Sequence, residues 1–441
     1  MLVFGLEFII LFAAILLGIR KGGMALGLIG GLGLAVFTFC FREVPSTPPI
    51  DVMLIILAVV SASATLQVAG GLEFLVQITE RILRTHPQYV TILAPLSTFF
   101  LTVCMGTGHA VYTLLPVIAD VALRAGVRPE RPMAISSVAA QMGITASPVA
   151  AAVTTFLAFA AKSGFVLTPF DILKVTFPAG LIGVLAAAIW SFHRGKDLDK
   201  DEEFQEKLKD PEFKESLQTS VTTLDQNISF SAKISLLLFF IGVLTIIMLG
   251  LFPQFLPLAN GKTLPMTTVV QIVMLTIGSF ILFASGVKAK DIANSSIFNA
   301  GMVALVSIFG IAWMSDTFVN ANKDFLIEKI GEMVKFAPWS FGIAMFCVSA
   351  FVKSQAATLI IMLPFGLALG LPLSLLLGLL PASYAYFFFA FYPSDLAAIN
   401  MDRTGTTKIG SYLLNHSFMV PGLIGVGVST TVAYFIAKAL Y

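Results

Sequence analysis

The chain has 441 residues, 57% of them hydrophobic and 12% charged, with a mean hydropathy of +0.92. Soluble proteins carry roughly 25% charged residues, so the composition excludes a soluble protein. The near balance of 27 basic and 25 acidic side chains, net +2, excludes a nucleic-acid binder, whose basic footprint would dominate.

Apolar runs long enough to cross a bilayer, for which about 20 residues suffice, fall at 3–19, 22–41, 52–79, 90–122, 132–161 and 170–192. A hydrophilic stretch at 193–230 then holds 16 of the 52 charges. Six more runs follow it, at 231–252, 266–286, 297–318, 339–370, 378–400 and 410–439. The runs are continuous rather than alternating, which excludes a β-barrel and predicts an all-α polytopic membrane protein. The first run carries Glu7 and precedes Arg20 and Lys21, so it reads as a membrane helix and not as a cleavable signal. Gly23, Gly27 and Gly31 predict close packing of the second run against another helix. Cys40, Cys104 and Cys347 lie in apolar runs and read as small buried hydrophobes, not as a disulfide framework or zinc site.

Basic residues orient the runs toward the cytoplasm. With the N-terminus outside, Arg20, Lys21, Arg81 and Arg84 lie inside and 42–51 forms an external loop. A single crossing by 90–122 would strand Arg124, Arg128 and Arg131 outside, whereas a turn at Gly106-Thr107-Gly108 returns them. Polar Gly-rich backbone at membrane depth is tolerated where it faces protein or a water-filled cavity, so the run reads as a re-entrant hairpin. Run 339–370 breaks likewise at Lys353-Ser354-Gln355 and enters from the opposite face. Lys288, Lys290, Arg403, Lys408 and the linker 193–230 are then cytoplasmic, and both termini are outside.

Internal similarity fits this plan. Gly106-Thr107-Gly108-His109 faces Ser354-Gln355-Ala356-Ala357, with Leu115-Pro116 matching Leu363-Pro364 downstream. Thr145-Ala146-Ser147-Pro148 faces Phe391-Tyr392-Pro393-Ser394. Two inverted repeats are expected, 1–192 and 231–441, each with about five transmembrane helices plus one re-entrant hairpin. Residues 1–89 and 231–338 read as scaffold, and 90–192 and 339–441 as the two transport halves.

Four polar breaks should meet at the midplane: the two hairpin tips and the interrupted middles of runs five and eleven. The tips offer Thr107, Gly108, His109 and Thr113, with Lys353, Ser354, Gln355 and Thr358. The broken helices add Ser136, Ser137, Gln141, Thr145, Ser147 and Pro148, then Ser383, Tyr384, Tyr392, Pro393, Ser394 and Asp395. Half-helix N-termini aim partial positive charge at anions, and this set suits a small, doubly charged oxygen anion better than a sugar. A charge at a helix centre costs about 2.5–3.5 kcal/mol. Lys353 therefore reads as meeting a substrate carboxylate, and Asp395 as fixing the lysine or binding a coupling cation. A structural Lys353–Asp395 pair is the alternative. His109 reads as a proton-linked group or as a hydrogen-bonded tip residue.

Other motifs fail. Gly261-Lys262-Thr263 has Leu256 where a phosphate loop needs its first glycine. Asp197, Asp199 and Asp201 imitate a calcium loop, but Glu202 replaces its glycine and Leu208 its last glutamate. That stretch reads as a solvated linker. No metal site is expected, and neither Gly-x-Ser-x-Gly nor His-Glu-x-x-His occurs, so the chain does not read as an enzyme.

Several strings in order are familiar: Arg20-Lys21-Gly22-Gly23, Gly106-Thr107-Gly108-His109, Arg128-Pro129-Glu130-Arg131-Pro132, Ala140-Gln141-Met142-Gly143, Gly310-Ile311-Ala312-Trp313-Met314, Tyr392-Pro393-Ser394-Asp395-Leu396 and Asn415-His416-Ser417-Phe418. With them the chain resembles, nearly end to end, the anaerobic C4-dicarboxylate transporters of bacteria, the Dcu family. The resemblance implies an inner-membrane carrier for fumarate, malate, aspartate and succinate, working by exchange. Sodium- or proton-coupled symport, or a dicarboxylate-binding receptor, are the alternatives. Kinship with the wider ion-transporter superfamily implies a homodimer, an elevator motion, and hairpin tips that bind carboxylates, often with sodium as coupling ion. Ser354-Gln355-Ala356-Ala357-Thr358 is similar to such a tip, with glutamine replacing the usual asparagine. A membrane sensor kinase is a further implied partner.

Overall fold

The computed structural model describes residues 2–441 except 22–23, 166, 218–220, 260–261, 324, 326–336, 390–391 and 411–413. Gly22, Gly23, Gly261 and Phe391, singled out above, lie outside the described residues. Among those described the protein is helical, apart from a two-residue β pair between Leu258–Ala259 and Lys262–Thr263. Seven helical spans are long and apolar enough to cross a membrane, or eight if one bent pair counts as a span. In hydrocarbon each segment must satisfy its own backbone, which helices alone do without partner strands. The protein is a multi-pass membrane protein.

The first half opens with α1 (Leu2–Lys21), α2 (Ala25–Ala35, prolonged by a π turn over Val36–Cys40), α3 (Ile50–Val68) and α4 (Gly71–Thr85). The third apolar run is therefore not one helix. Gly70, at φ 84, ends α3, and the chain bends by 68° into the amphipathic α4, which carries Glu80 and Arg84. Then come α5 (Val90–Met105), α6 (Val111–Arg124), α7 (Glu130–Met142), α8 (Ala151–Lys162) and α9 (Pro169–Phe192). Two short helices, α10 (Glu202–Lys207) and α11 (Pro211–Ser216), lie in the linker.

The second half holds α12 (Phe230–Leu251), α13 (Met266–Ser285), α14 (Ala289–Ala293) and α15 (Ser296–Ala321). After it come α16 (Ser340–Val352), α17 (Gln355–Ala368), α18 (Leu373–Gly378), α19 (Pro393–Met401) and α20 (Met419–Leu440). The pairs α2–α15, α3–α13 and α9–α20 pack side by side.

The two long apolar runs fold as hairpins. Arg84, before α5, reaches Asp120 near the end of α6 with Nη2 3.1 Å from Oδ2, so both ends of the 90–124 unit lie at one end of the molecule. In the second unit the Phe341 ring of α16 closes on Gly366 of α17. These hairpin bases sit at opposite ends of the α9–α20 pair, whose helices run antiparallel. At one end Arg194 donates to the Ser417 carbonyl (2.6 Å) and Arg131, at the start of α7, donates to the Arg194 carbonyl (2.6 Å). At the other end the Tyr441 hydroxyl donates to the Asp171 carbonyl (3.3 Å), and α18 brings Gly378 against Tyr434 and Ala437. At about 1.5 Å per residue, the 24 residues of α9 separate the two ends by about 36 Å.

Close helix packing on α2 occurs through Gly27 of the glycine stripe, but Gly30 rather than Gly31 continues it. A Cβ on Gly27 would lie 2.0 Å from the Val306 carbonyl oxygen, and one on Gly30 would lie 2.6 Å from the Gly310 carbonyl carbon. Gly310 would in turn strike the Gly27 oxygen at 1.7 Å, while Gly31 faces open space. The contact row is thus Gly27 and Gly30 against α15, a three-residue step. Cys40 and Cys347 are also exposed rather than buried, since an apolar residue on a membrane helix can face lipid as readily as protein.

Candidate substrate site between two hairpin tips

Both tips are built alike. Helix α5 ends on Gly106 at φ 74, ψ 5, and α16 ends on Lys353 at φ 56, ψ 29, both left-handed. The next residue is extended and caps the following helix. Thr107 Oγ1 accepts from the His109 amide (3.4 Å), and Ser354 Oγ accepts from the Ala357 amide (3.3 Å). Gly106 is therefore the counterpart of Lys353, and Thr107 of Ser354, one position away from the register read off the Leu-Pro pairs. A 3-10 turn over Gly108–Ala110 in the first tip explains the slip. It rises about 2.0 Å per residue against 1.5 Å in an α-helix, so fewer residues span the same distance.

The tips meet the broken helices closely. A Cβ on Gly106 would lie 2.9 Å from the Val149 carbonyl oxygen, in the turn before α8. Gly108 lies against the side-chain amide of Gln141, where a Cβ would come within 2.5 Å of Nε2. Gln355 of the second tip donates from Nε2 to the Gln141 carbonyl oxygen (2.7 Å). That carbonyl is available because α7 ends there.

Between the tips lies a cavity of about 720 Å³. Of the site residues read from sequence, Thr107, Gly108, His109, Lys353, Ser354, Gln355, Tyr392 and Pro393 line it. His109 is exposed, with Nδ1 2.7 Å from Thr107 Oγ1. The opposite wall comes from α2, α3 and α15 and is mostly apolar, with Leu26, Ile56, Val60, Ala300 and Val303; Ser63, Asn299 and Ser307 are its polar members.

Ser147, Pro148, Thr358, Ser394 and Asp395 do not line the cavity. Ser147 Oγ accepts from the Val149 amide (3.4 Å), beside Pro148 in the break, and Thr358 Oγ1 donates back to the Ser354 carbonyl (2.8 Å). Asp395 is buried, its Oδ1 2.6 Å from the Ser137 hydroxyl, which also lies 2.8 Å from Ser394 Oγ. Asp395 interacts electrostatically with Lys353. These residues shape the tip and charge balance from behind. Gln141, read from sequence among the polar residues of the first broken helix, lines the cavity, and so does Tyr386, which was not among them. A tyrosine two residues beyond Tyr384 in the interrupted run eleven was the available signal for the latter.

The arginine-rich end of the molecule is also organised. Asp120 is fully buried and ion-pairs with Arg84, Arg124 and Arg403. The linker docks against this end instead of floating in solvent. Asp197 pairs with Arg131 (2.7 Å), Asp201 pairs with Arg128, and the Thr223 amide donates to Glu80 (2.7 Å). Its aspartates serve cations of the protein, and no group of three or more His, Cys, Asp or Glu gathers as a metal site among the described residues. Hydrogen bonds from Lys207 and Lys408 hold the Glu203 carboxyl down at about 2.

Comparison with known proteins adds the family. Residues 3–441 match the family model described as anaerobic C4-dicarboxylate membrane transporter. The anaerobic C4-dicarboxylate transporter DcuB of Escherichia coli O157:H7 is 45% identical, over 100% of this chain and 99% of that one. The C4-dicarboxylate transporter DcuA of Wolinella succinogenes is 36% identical over the full length of both. Among solved structures, Neisseria gonorrhoeae MtrF, described with antimetabolite efflux pumps, superposes with a TM-score of 0.59 at 12% identity, covering 91% of this chain and 83% of that one. The YdaH transporter of Alcanivorax borkumensis gives 0.56 at 13% identity, covering 94% and 98%. These two share the fold alone. With its whole length matched by the family model and by relatives well above 30% identity, the chain belongs to the DcuA/DcuB family of anaerobic C4-dicarboxylate membrane transporters.

Proposed function

We propose that the protein is a secondary transporter that exchanges C4-dicarboxylates (fumarate, succinate, malate, aspartate) across the bacterial inner membrane. The observation that carries this reading is the meeting of two like-built hairpin tips, based at opposite ends of the molecule, around one cavity bearing the Lys353 side chain. The named activity of relatives at 45% and 36% identity supports the substrate class. A dianion bridging the tips would meet the Lys353 ammonium and the partial positive charge of two helix N-termini. Opposite hairpin bases, with the paired packing of α2 on α15 and α3 on α13, support two inverted repeats.

In this reading residues 90–192 and 339–441 form the moving transport halves, and 1–89 and 231–338 the scaffold and homodimer contact. The cavity straddles that division, polar on the tip side and mostly apolar on the scaffold side. Substrate held by the tips can therefore pass the scaffold as cargo of a rigid elevator. The basic end of the molecule and the linker face the cytoplasm, with both termini periplasmic. Uptake of labelled fumarate into vesicles preloaded with succinate tests the proposal. Uptake stimulated by internal succinate is expected. Uptake driven by a sodium or proton gradient with no internal dicarboxylate replaces exchange with symport, and no flux from correctly inserted protein overturns transport.

A further inference from the structure

Gln141 is 2% exposed, yet it touches every polar break of the site. It ends α7 at the first break, its carbonyl accepts from Gln355 of the second tip, and its side-chain amide lies flat on Gly108 of the first. At the second break the Tyr386 hydroxyl donates to Gln141 Oε1 (2.9 Å). That bond commits the amide oxygen and leaves the NH2 group as the donor available to the cavity that Gln141 lines. Beside it Gln355 Oε1 is buried with no hydrogen-bond partner among the described residues.

We infer that Gln141 is a further substrate-contacting residue, whose side-chain NH2 donates to the dicarboxylate's carboxyl group that Lys353 does not hold. The inference rests on the dicarboxylate reading and deepens it. Lys353 supplies charge to one end of the substrate, and Gln141 makes the site demand an acceptor at the other. A site built to hydrogen-bond a group discriminates strongly against an analogue that lacks it, because its own polar atom is then left unpaired.

The test compares fumarate with its monoamide, which replaces one charged carboxylate oxygen by an NH2 donor and leaves only a neutral carbonyl as acceptor. Gln141→Glu keeps the shape and exchanges a donor for a charged acceptor. Gln141→Met keeps the shape and removes hydrogen bonding, which provides a second reading should the charged variant fail to fold. Binding is measured calorimetrically on purified full-length protein, with melting temperature as the folding control. In both variants the affinity for fumarate should fall roughly 10- to 100-fold, and its preference over the monoamide should fall by at least about tenfold, most in Gln141→Glu. In Gln141→Met, which adds no charge, a merely structural residue would weaken both ligands alike, so an unchanged fumarate-to-monoamide ratio in that variant overturns the inference. Failure of the wild-type protein to bind or exchange fumarate would instead remove the reading beneath it.

Discussion

At Lys353 the backbone and the side chain make opposite demands. A left-handed conformation costs a non-glycine residue roughly 1–2 kcal/mol, and the equivalent tip position is Gly106. Lys353→Gly relieves that strain but removes the cation that Asp395 senses. The Asp395 carboxyl is then left buried without its cation, which offsets the relief, so the variant should gain nothing in melting temperature and should lose dicarboxylate binding. Adding Asp395→Asn should raise the melting temperature while binding stays lost. If binding returns in the double variant, the lysine is structural. Lys353 was legible from sequence because a cation inside an apolar run demands an explanation. Its left-handed backbone was not, since nothing in the residue type announces it. Gln141 was legible as a polar residue in the interrupted run five but not as the contact between the two tips, since only the fold brings the tips to it.

Among the elements, the hairpins were legible because Gly-Thr-Gly and Lys-Ser-Gln interrupt runs too long for one crossing. The one-residue register slip between the tips was not, because it depends on a 3-10 turn that composition does not betray. Helix α2 teaches the same lesson. Glycine spacing alone does not say which row meets a partner, and the three-residue step from Gly27 to Gly30 won over the four-residue step. Gly27→Val or Gly310→Val would drive a side chain into backbone and should destabilise by about 3 kcal/mol or more. Gly31→Val, facing open space, should stay within about 0.5 kcal/mol. Melting curves of the purified variants decide. Equal effects at Gly27 and Gly31 would contradict the packing of α2 on α15.

For the whole molecule, orientation follows from which end gathers the arginines. In a cysteine-free background, a cysteine replacing Ala125, beside the Arg128 cluster, should be labelled from the cytoplasmic side only. One replacing the exposed Trp339, near the base of the second hairpin, should be labelled only from outside. Labelling from the reverse sides would invert the topology, and labelling of both from one side would dissolve the two-hairpin plan. The mostly apolar cavity wall built by α2, α3 and α15 has a pharmacological corollary. Succinate carrying an alkyl branch keeps both carboxylates for the tips and lays its tail on Ile56, Val60 and Val303, gaining about 0.8 kcal/mol for each buried CH2. Such a compound would contact both walls of the cavity at once. It should compete with fumarate for binding yet fail as an exchange substrate, a blocker obtained by adding grease to a cargo molecule.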